Sequence, residues 1–243
     1  MRVSHLLHPL FGAVIATGLL AGTLGAGSAA AQTPESTGAG CSAVVATPAA
    51  GQGMMGHGHG GHGAAMATPG TGQMHVAEYD LMYIDMMIPH HESIIALATV
   101  ARDELTHPRL IEIANQIVAT QQGEIDELRQ LRDQWYPGAA PVSMEMMAGM
   151  PGLGGNMTMM DQQMSGEWQV QTFCAATDKD LAFIDQVIPH HQMAIDTSVA
   201  AVELAVHPEL TEIARNVITA QQGEIDELEQ IRAEITGQAT PTA

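Results

Sequence analysis

Apolar positions recur along the chain in one helical pattern that appears twice. From Glu78 to Leu105 they alternate at steps of three and four, as in an amphipathic helix, and a second helical pattern ends near Trp135. Both patterns return 100 residues later. Residues 79–133 and 179–233 align without a gap and share 26 identities in 55 positions, so the chain contains two copies of one helical hairpin.

These patterns predict an all-α fold, because two hairpins that share one core form a four-helix bundle. We assign the segments as a signal peptide (1–31), a disordered tail (32–77), a first hairpin (78–136), a Met-rich connector (137–177), a second hairpin (178–236) and a terminal tail (237–243). The proposed signal combines Arg2, an apolar run from Leu10 to Leu24, and small residues before Gln32.

The apolar run of the proposed signal is short for a membrane span. We therefore expect an exported protein, periplasmic, extracellular or at the cell surface, which meets the membrane only during export. In an oxidising compartment Cys41 and Cys174 can form a disulfide or remain two free thiols, and the sequence does not decide between these states.

A polar layer interrupts the apolar seam of each hairpin. His91 and His191 lie on the seam of the first helix of each copy. Glu124 follows Pro108 by as many positions as His91 precedes His107. Both side chains are thus roughly 24 Å from the turn, at one level of an antiparallel pair. Glu224 occupies the same place in the second copy, while His107 and His207 are interpreted as turn residues.

This layer has two interpretations. In the first, histidine, glutamate and glutamine form a hydrogen-bond network that fixes the helix register. In the second, which we favour because four histidines exceed what register needs, the layer binds a metal. Its candidate ligands are His90, His91, His190, His191, Glu124, Glu224, Met86, Met87 and Met193. Its candidate orienting residues are Asp85, Asp185, Gln121 and Gln221. Pro89 and Pro189 are expected to kink the helices and free the Asp85 and Asp185 carbonyls.

Two further segments carry histidine and methionine. The tail contains imidazoles and thioethers on a glycine-rich chain, which favour copper(I) or copper(II) and also accept other transition metals. These residues are Met54, Met55, His57, His59, His62 and Met66. The connector has eight methionines between Met144 and Met164, with a short helix expected near residues 157–165. Its methionines fit either a copper(I)-binding surface or an apolar strap over the bundle.

Charge narrows the possible partners. The formal net charge is -19 and the chain has one lysine, so we exclude nucleic-acid binding, which needs clustered basic residues. We expect metal ions as ligands and a copper donor or acceptor protein as partner.

The Glu-x-x-His spacing of di-iron bundles occurs only at Glu104–His107 and is lost in the second copy. We therefore predict no catalytic residue, and keep a metal-dependent redox enzyme and a structural or interaction module as alternatives.

The motif I-P-H-H in one helix and Q-Q-x-E-I in the next, present twice in an exported chain, resembles domain-of-unknown-function family 305. The resemblance spans about residues 78–234 and implies a ferritin-like bundle whose paired histidines correspond to His90, His91, His190 and His191. Because the family includes periplasmic copper-resistance proteins, it implies copper sequestration, delivery or resistance. Gln186 and Val187 replace Met86 and Met87 in the second copy, so equal affinity of the two halves is not expected.

Overall fold

The structure, a computed structural model, describes residues 40–42 and 76–237. The helices of this part are α1 (Val76–Ala101), α2 (Pro108–Trp135), α3 (Met144–Met147), α4 (Met157–Met164), α5 (Gly166–Ala175), α6 (Lys179–Leu204) and α7 (Pro208–Thr236). No strand occurs in the described ranges, and the predicted all-α class is confirmed. The proposed signal peptide and nearly all of the tail lie outside the described residues.

The four long helices form two antiparallel hairpins. In the first, Asp85 near the start of α1 pairs with Arg132 near the end of α2, while Glu92 further along α1 pairs with Arg129. Asp185 and Arg232 repeat the first of these pairs between α6 and α7. The repetition of a contact at an offset of 100 residues shows that the two hairpins share one internal geometry.

A His-Pro turn joins the two helices of each hairpin. The residue before proline is excluded from helical geometry and proline suits the first helical position, so α2 begins at Pro108 and α7 at Pro208. The backbone N–H of His207 donates to the Asp80 carboxylate at 3.0 Å, and that of His107 donates to Asp180 at 3.4 Å. Each hairpin's first helix therefore caps the turn of the other hairpin.

This exchange of caps makes α1 and α6 antiparallel neighbours at the centre of the bundle. Near one end of the contact the Tyr83 hydroxyl lies 2.7 Å from the Ser198 hydroxyl. At its middle the rings of His90 and His190 stack with centroids 3.6 Å apart. An approximate twofold axis therefore passes through this histidine pair and exchanges the two copies.

Two apolar clusters make up the core. One contains Met82, Met86, Met87 and Met193, and the other contains Ile94, Phe173, Phe183 and further aliphatic residues. Apart from Tyr79, Tyr83, Phe173 and Phe183, the buried hydrophobic side chains of the described residues are aliphatic or methionine. No described helix is long and apolar enough to span a membrane.

The connector packs against α1. At its elbow between α4 and α5, Gly166 approaches so closely that a Cβ there would lie 3.0 Å from the Ala96 Cβ. Further along, Cys174 forms a disulfide with Cys41, which settles the alternative that the sequence left open. The backbone N–H of Cys41 also donates to Glu104 at 3.1 Å. Residues 40–42 are thereby fixed to the bundle near the end of α1.

Candidate metal centre

Four histidines meet at the middle of the bundle, and their burial is complete. His90, His91, His190 and His191 each expose 0% of their surface. Adjacent residues on a helix point about 100° apart, so His90 and His190 face each other across the α1–α6 contact while their neighbours face α2 and α7. The ring centroids within each adjacent pair are 6.0 Å apart.

The two outer histidines each bond to a glutamate of the second helix. His91 Nε2 lies 2.7 Å from Glu124 Oε2, and His191 Nε2 lies 2.6 Å from Glu224 Oε2. An ionised carboxylate can only accept, so Nε2 of each ring carries the hydrogen and Nδ1 carries the lone pair. The glutamates therefore set the tautomer of these rings, a common arrangement behind metal-binding histidines.

The inner histidine pair is held less evenly. His190 Nε2 lies 3.0 Å from the His90 carbonyl oxygen and 3.0 Å from the Ser93 hydroxyl. A carbonyl can only accept, so His190 Nε2 also carries the hydrogen. No hydrogen bond of standard geometry reaches either ring nitrogen of His90 from the described residues, although the His190 backbone lies near enough to raise the pKa of His90 against the larger effect of burial.

Burial keeps the inner histidines neutral. Desolvation lowers the pKa of His90 well below the ordinary value of 6.5, and the nearby His91 and His191 lower it further. Desolvation likewise lowers the pKa of His190, helped by His90, His191 and His91. Neutral imidazoles are the form that binds a metal, because the protonated ring has no free lone pair.

The layer contains many buried polar atoms without a partner. Within the described ranges these include both nitrogens of His90 and Nδ1 of the other three histidines, which makes five ring nitrogens. The Gln121 side-chain oxygen and both polar side-chain atoms of Gln221 are also unpartnered among the described residues. Such groups are rare in folded proteins and call for an explanation at each site.

The donor set fits a soft or borderline cation. In the described part of the chain, no three His, Cys, Asp or Glu side chains are grouped so that they could hold one ion. The thioethers of Met86, Met87 and Met193 are buried in the apolar core, at 0%, 0% and 4% exposure. Imidazole nitrogen together with thioether sulfur is the donor chemistry of copper(I), which does not need oxygen ligands.

Several predicted site residues lie elsewhere. The Asp85 carboxylate binds Arg132 and accepts from the Val142 N–H at 2.9 Å, and Asp185 pairs with Arg232. The structure therefore does not bring these two carboxylates to the histidines. Pro89 and Pro189 lie inside continuous helices. The tail residues Met54, Met55, His57, His59, His62 and Met66 lie outside the described residues.

Ser93 and Gln163 belong to the site and were not predicted. The Ser93 hydroxyl lies 2.7 Å from the His90 carbonyl and 2.5 Å from the Gln163 carbonyl of the connector, as well as beside His190. The position of Ser93, three residues after His90, was the available signal, because that spacing places both on one helix face. No pattern in the connector indicated Gln163.

The connector methionines divide between surface and core. Met146, Met157 and Met159 are exposed, whereas Met147 and Met160 are buried against the bundle. The short helix expected near residues 157–165 is α4.

His207, interpreted as a turn residue, bonds to Asp80 at 2.7 Å and stacks on Trp135 with centroids 3.8 Å apart.

Comparison with known proteins identifies the family. The family model "Domain of unknown function (DUF305)" matches residues 80–232. The chain belongs to the DUF305 family. This confirms the resemblance seen in the paired I-P-H-H and Q-Q-x-E-I motifs. No curated protein matches the chain.

Solved structures similar to this DUF305 chain include CopM. CopM in its Cu(I)-bound form is 27% identical with a TM-score of 0.51, and the match covers 64% of this chain and 96% of CopM. CopM in its Cu(II)-bound form is 32% identical with a TM-score of 0.51, covering 62% and 93%. A DUF305 protein from Streptomyces coelicolor is 19% identical with a TM-score of 0.51, covering 64% and 91%, and supports the fold alone.

Proposed function

We propose that this protein binds copper in its buried histidine layer and serves to sequester or deliver it. The observation that carries the proposal is the set of five ring nitrogens that lack a hydrogen-bond partner among the described residues. Each neutral ring has one lone pair, which lies on Nδ1 of His91, His190 and His191 and on one of the two nitrogens of His90, so the layer offers four lone pairs to a cation.

Energetics favours a ligand over a purely structural layer. A buried polar group without a partner costs about 1–3 kcal/mol, so several such groups in one layer cost a large part of a domain's stability. A register-fixing network would satisfy its members, as the His91–Glu124 and His191–Glu224 pairs are satisfied at Nε2. A bound cation would satisfy the Nδ1 atoms on the other side of the same rings.

The similarity to CopM supports copper as the ion. CopM has been solved with Cu(I), with Cu(II) and with Ag bound, at 27 to 32% identity to this chain. The soft thioethers of Met86, Met87 and Met193 favour the reduced ion, and the neutral imidazoles accept either oxidation state. The oxygen-rich donor sets that magnesium and calcium need are not what this layer offers.

The finer parts of the proposal concern the tail and the location. The histidines and methionines from Met54 to Met66 supply a second group of copper ligands outside the bundle. We place the mature protein outside the cytoplasm, because the segment from Met1 to Ala31 has the features of a signal peptide. The Cys41–Cys174 disulfide supports this location, since such bonds persist in oxidising compartments.

Copper(I) titration of the signal-free chain against a competing chelator tests the proposal. The double variant His90→Ala/His190→Ala should lose copper from the bundle, and a variant lacking the tail histidines should keep it. His107→Ala is the matched control, because this histidine lies at a turn and contacts Glu234 at 3.9 Å. Circular dichroism verifies that each variant is folded.

Each outcome separates the candidate functions. Equal copper uptake by the double variant and the control would refute the layer as a copper site. If the double variant binds as much copper as the control and loses only stability, the layer is a structural module. Turnover of peroxide or oxygen by the copper-loaded chain would instead support the redox alternative.

A further inference from the structure

The two halves of the histidine layer differ at one pair of equivalent positions. The approximate twofold axis exchanges His90 with His190 and residue 93 with residue 193. Residue 93 is serine and residue 193 is methionine, both nearly buried at 2% and 4% exposure. The environment of each inner histidine therefore differs in the residue supplied by the opposite helix.

On one side, Ser93 holds His190. The Ser93 oxygen lies 3.0 Å from His190 Nε2, whose hydrogen also faces the His90 carbonyl at 3.0 Å. The hydroxyl itself has a single proton to donate, and the His90 and Gln163 carbonyls lie within 2.7 Å and 2.5 Å of it. It therefore accepts from His190 and donates to one of the two carbonyls. His190 Nε2 is occupied, and its lone pair is restricted to Nδ1.

On the other side, the approximate twofold relation puts Met193 at the position equivalent to Ser93. In the antiparallel α1–α6 contact, Ser93 contacts His190 and Tyr83 contacts Ser198. Each step forward along α1 is therefore matched by a roughly equal step back along α6. The same register places Met193 opposite His90. A thioether accepts only weak hydrogen bonds, which agrees with the finding that His90 has no partner at either ring nitrogen among the described residues.

We infer that the two halves bind copper(I) unequally, and that His90 together with the Met193 thioether forms the half that fills first. This inference rests on the proposed copper binding of the layer and names which residues act first. An imidazole nitrogen and a thioether sulfur provide a soft donor pair, whereas Ser93 offers a hard hydroxyl that is already engaged. The His190 half can use only Nδ1, because freeing Nε2 would break its contacts to Ser93 and His90.

The order of filling can be measured on the unaltered, signal-free chain. Silver nitrate serves as the probe, because silver(I) is a soft ion that does not change its oxidation state under these conditions. Two-dimensional ¹H–¹⁵N spectra of the imidazole rings report each histidine separately, whatever the tail binds. The His90 ring signals should move at lower silver concentration than those of His190, and apo His190 should show the Nε2–H tautomer.

The spectra distinguish failure of the inference from failure of the proposed function. If none of the four bundle rings responds to silver, the layer is not a soft-metal site and the proposed function fails. If His190 responds first, or the two rings respond together, the layer binds metal but the assignment of the first half is overturned.

A substitution gives a second, independent test. Met193→Leu keeps the apolar volume and removes the sulfur, and should weaken copper(I) binding in the bundle by about tenfold or more. Met160→Leu is the matched control, because Met160 is similarly buried at 2% exposure but lies on the connector helix α4. Equal affinity of the two variants would overturn the role of Met193. A loss confined to Met193→Leu supports it.

Discussion

The glutamates behind the outer histidines provide the sharpest test of the site, and Glu124→Gln is the perturbation of choice. Glu124 accepts from His91 Nε2 at 2.7 Å while its side chain keeps 21% exposure. A hydrogen bond to a charged group contributes about 1.5–3 kcal/mol and a neutral one about 0.5–1.5 kcal/mol. The substitution should therefore lower the apo protein's free energy of unfolding by about 1 kcal/mol.

The effect on copper should be larger than the effect on stability. Glutamine can donate as well as accept, so it no longer fixes the hydrogen of His91 on Nε2. A fraction of the rings then carries the hydrogen on Nδ1, where the lone pair is needed. Loss of such an orienting partner typically costs about 10–100-fold in metal affinity, and we expect a reduction in this range for copper(I).

Chelator competition measures the affinity, and ¹⁵N-imidazole spectra measure the tautomer of His91. Glu127→Gln is the matched control, because it makes the same change on the exposed face of α2, three residues further along. The reasoning is refuted if both variants bind copper(I) equally well, or if the tautomer changes without any loss of affinity.

Three further predictions concern stability. Folding lowers the pKa values of His90 and His190, so the unfolded chain binds protons more readily than the folded one. The apo protein should therefore lose stability as the pH falls below about 6.5. Urea unfolding at pH 7.5 and 5.5 tests this, and equal stability at the two pH values would contradict it. Cys174→Ser opens a disulfide across 133 residues and should cost up to about 5 kcal/mol in the same assay, whereas an unchanged midpoint would contradict the entropic estimate. Asp80→Asn should cost about 3 kcal/mol and Asp180→Asn about 1 kcal/mol, because only the first carboxylate is fully buried; equal losses would refute this reasoning.

Much of the site could be predicted because it depends on local periodicity and on symmetry. The constant rise per residue of an α-helix and equal distances from the His-Pro turn place His91 and Glu124 at one level. The duplicated motif then requires the same pair, His191 and Glu224, in the second copy. These steps use only spacing within a hairpin, and the structure has both pairs within hydrogen-bond distance.

The contacts between the hairpins could not be predicted from spacing. Asp80 caps the turn at His207 across 127 residues, and no periodic pattern indicates this partner. Within the first hairpin, Asp85 was predicted to orient the histidines, yet its carboxylate pairs with Arg132. The connector gave no signal for Gln163, because its glycines and methionines lack the periodicity that fixes a facing residue.

The asymmetry of the layer follows from how the connector crosses a symmetric bundle. The connector contacts α1 and α6 through different segments. Gly166 and the Gln163 carbonyl approach α1 beside Ser93, whereas Gly152 lies against the α6 backbone, where an added Cβ would be 2.5 Å from the Asp196 carbonyl oxygen. Serine suits position 93, because its hydroxyl can donate to the Gln163 carbonyl or to the His90 carbonyl, which a methionine could not do. The connector's path thus accounts for a hydroxyl beside His190, where the equivalent position of the other half carries Met193.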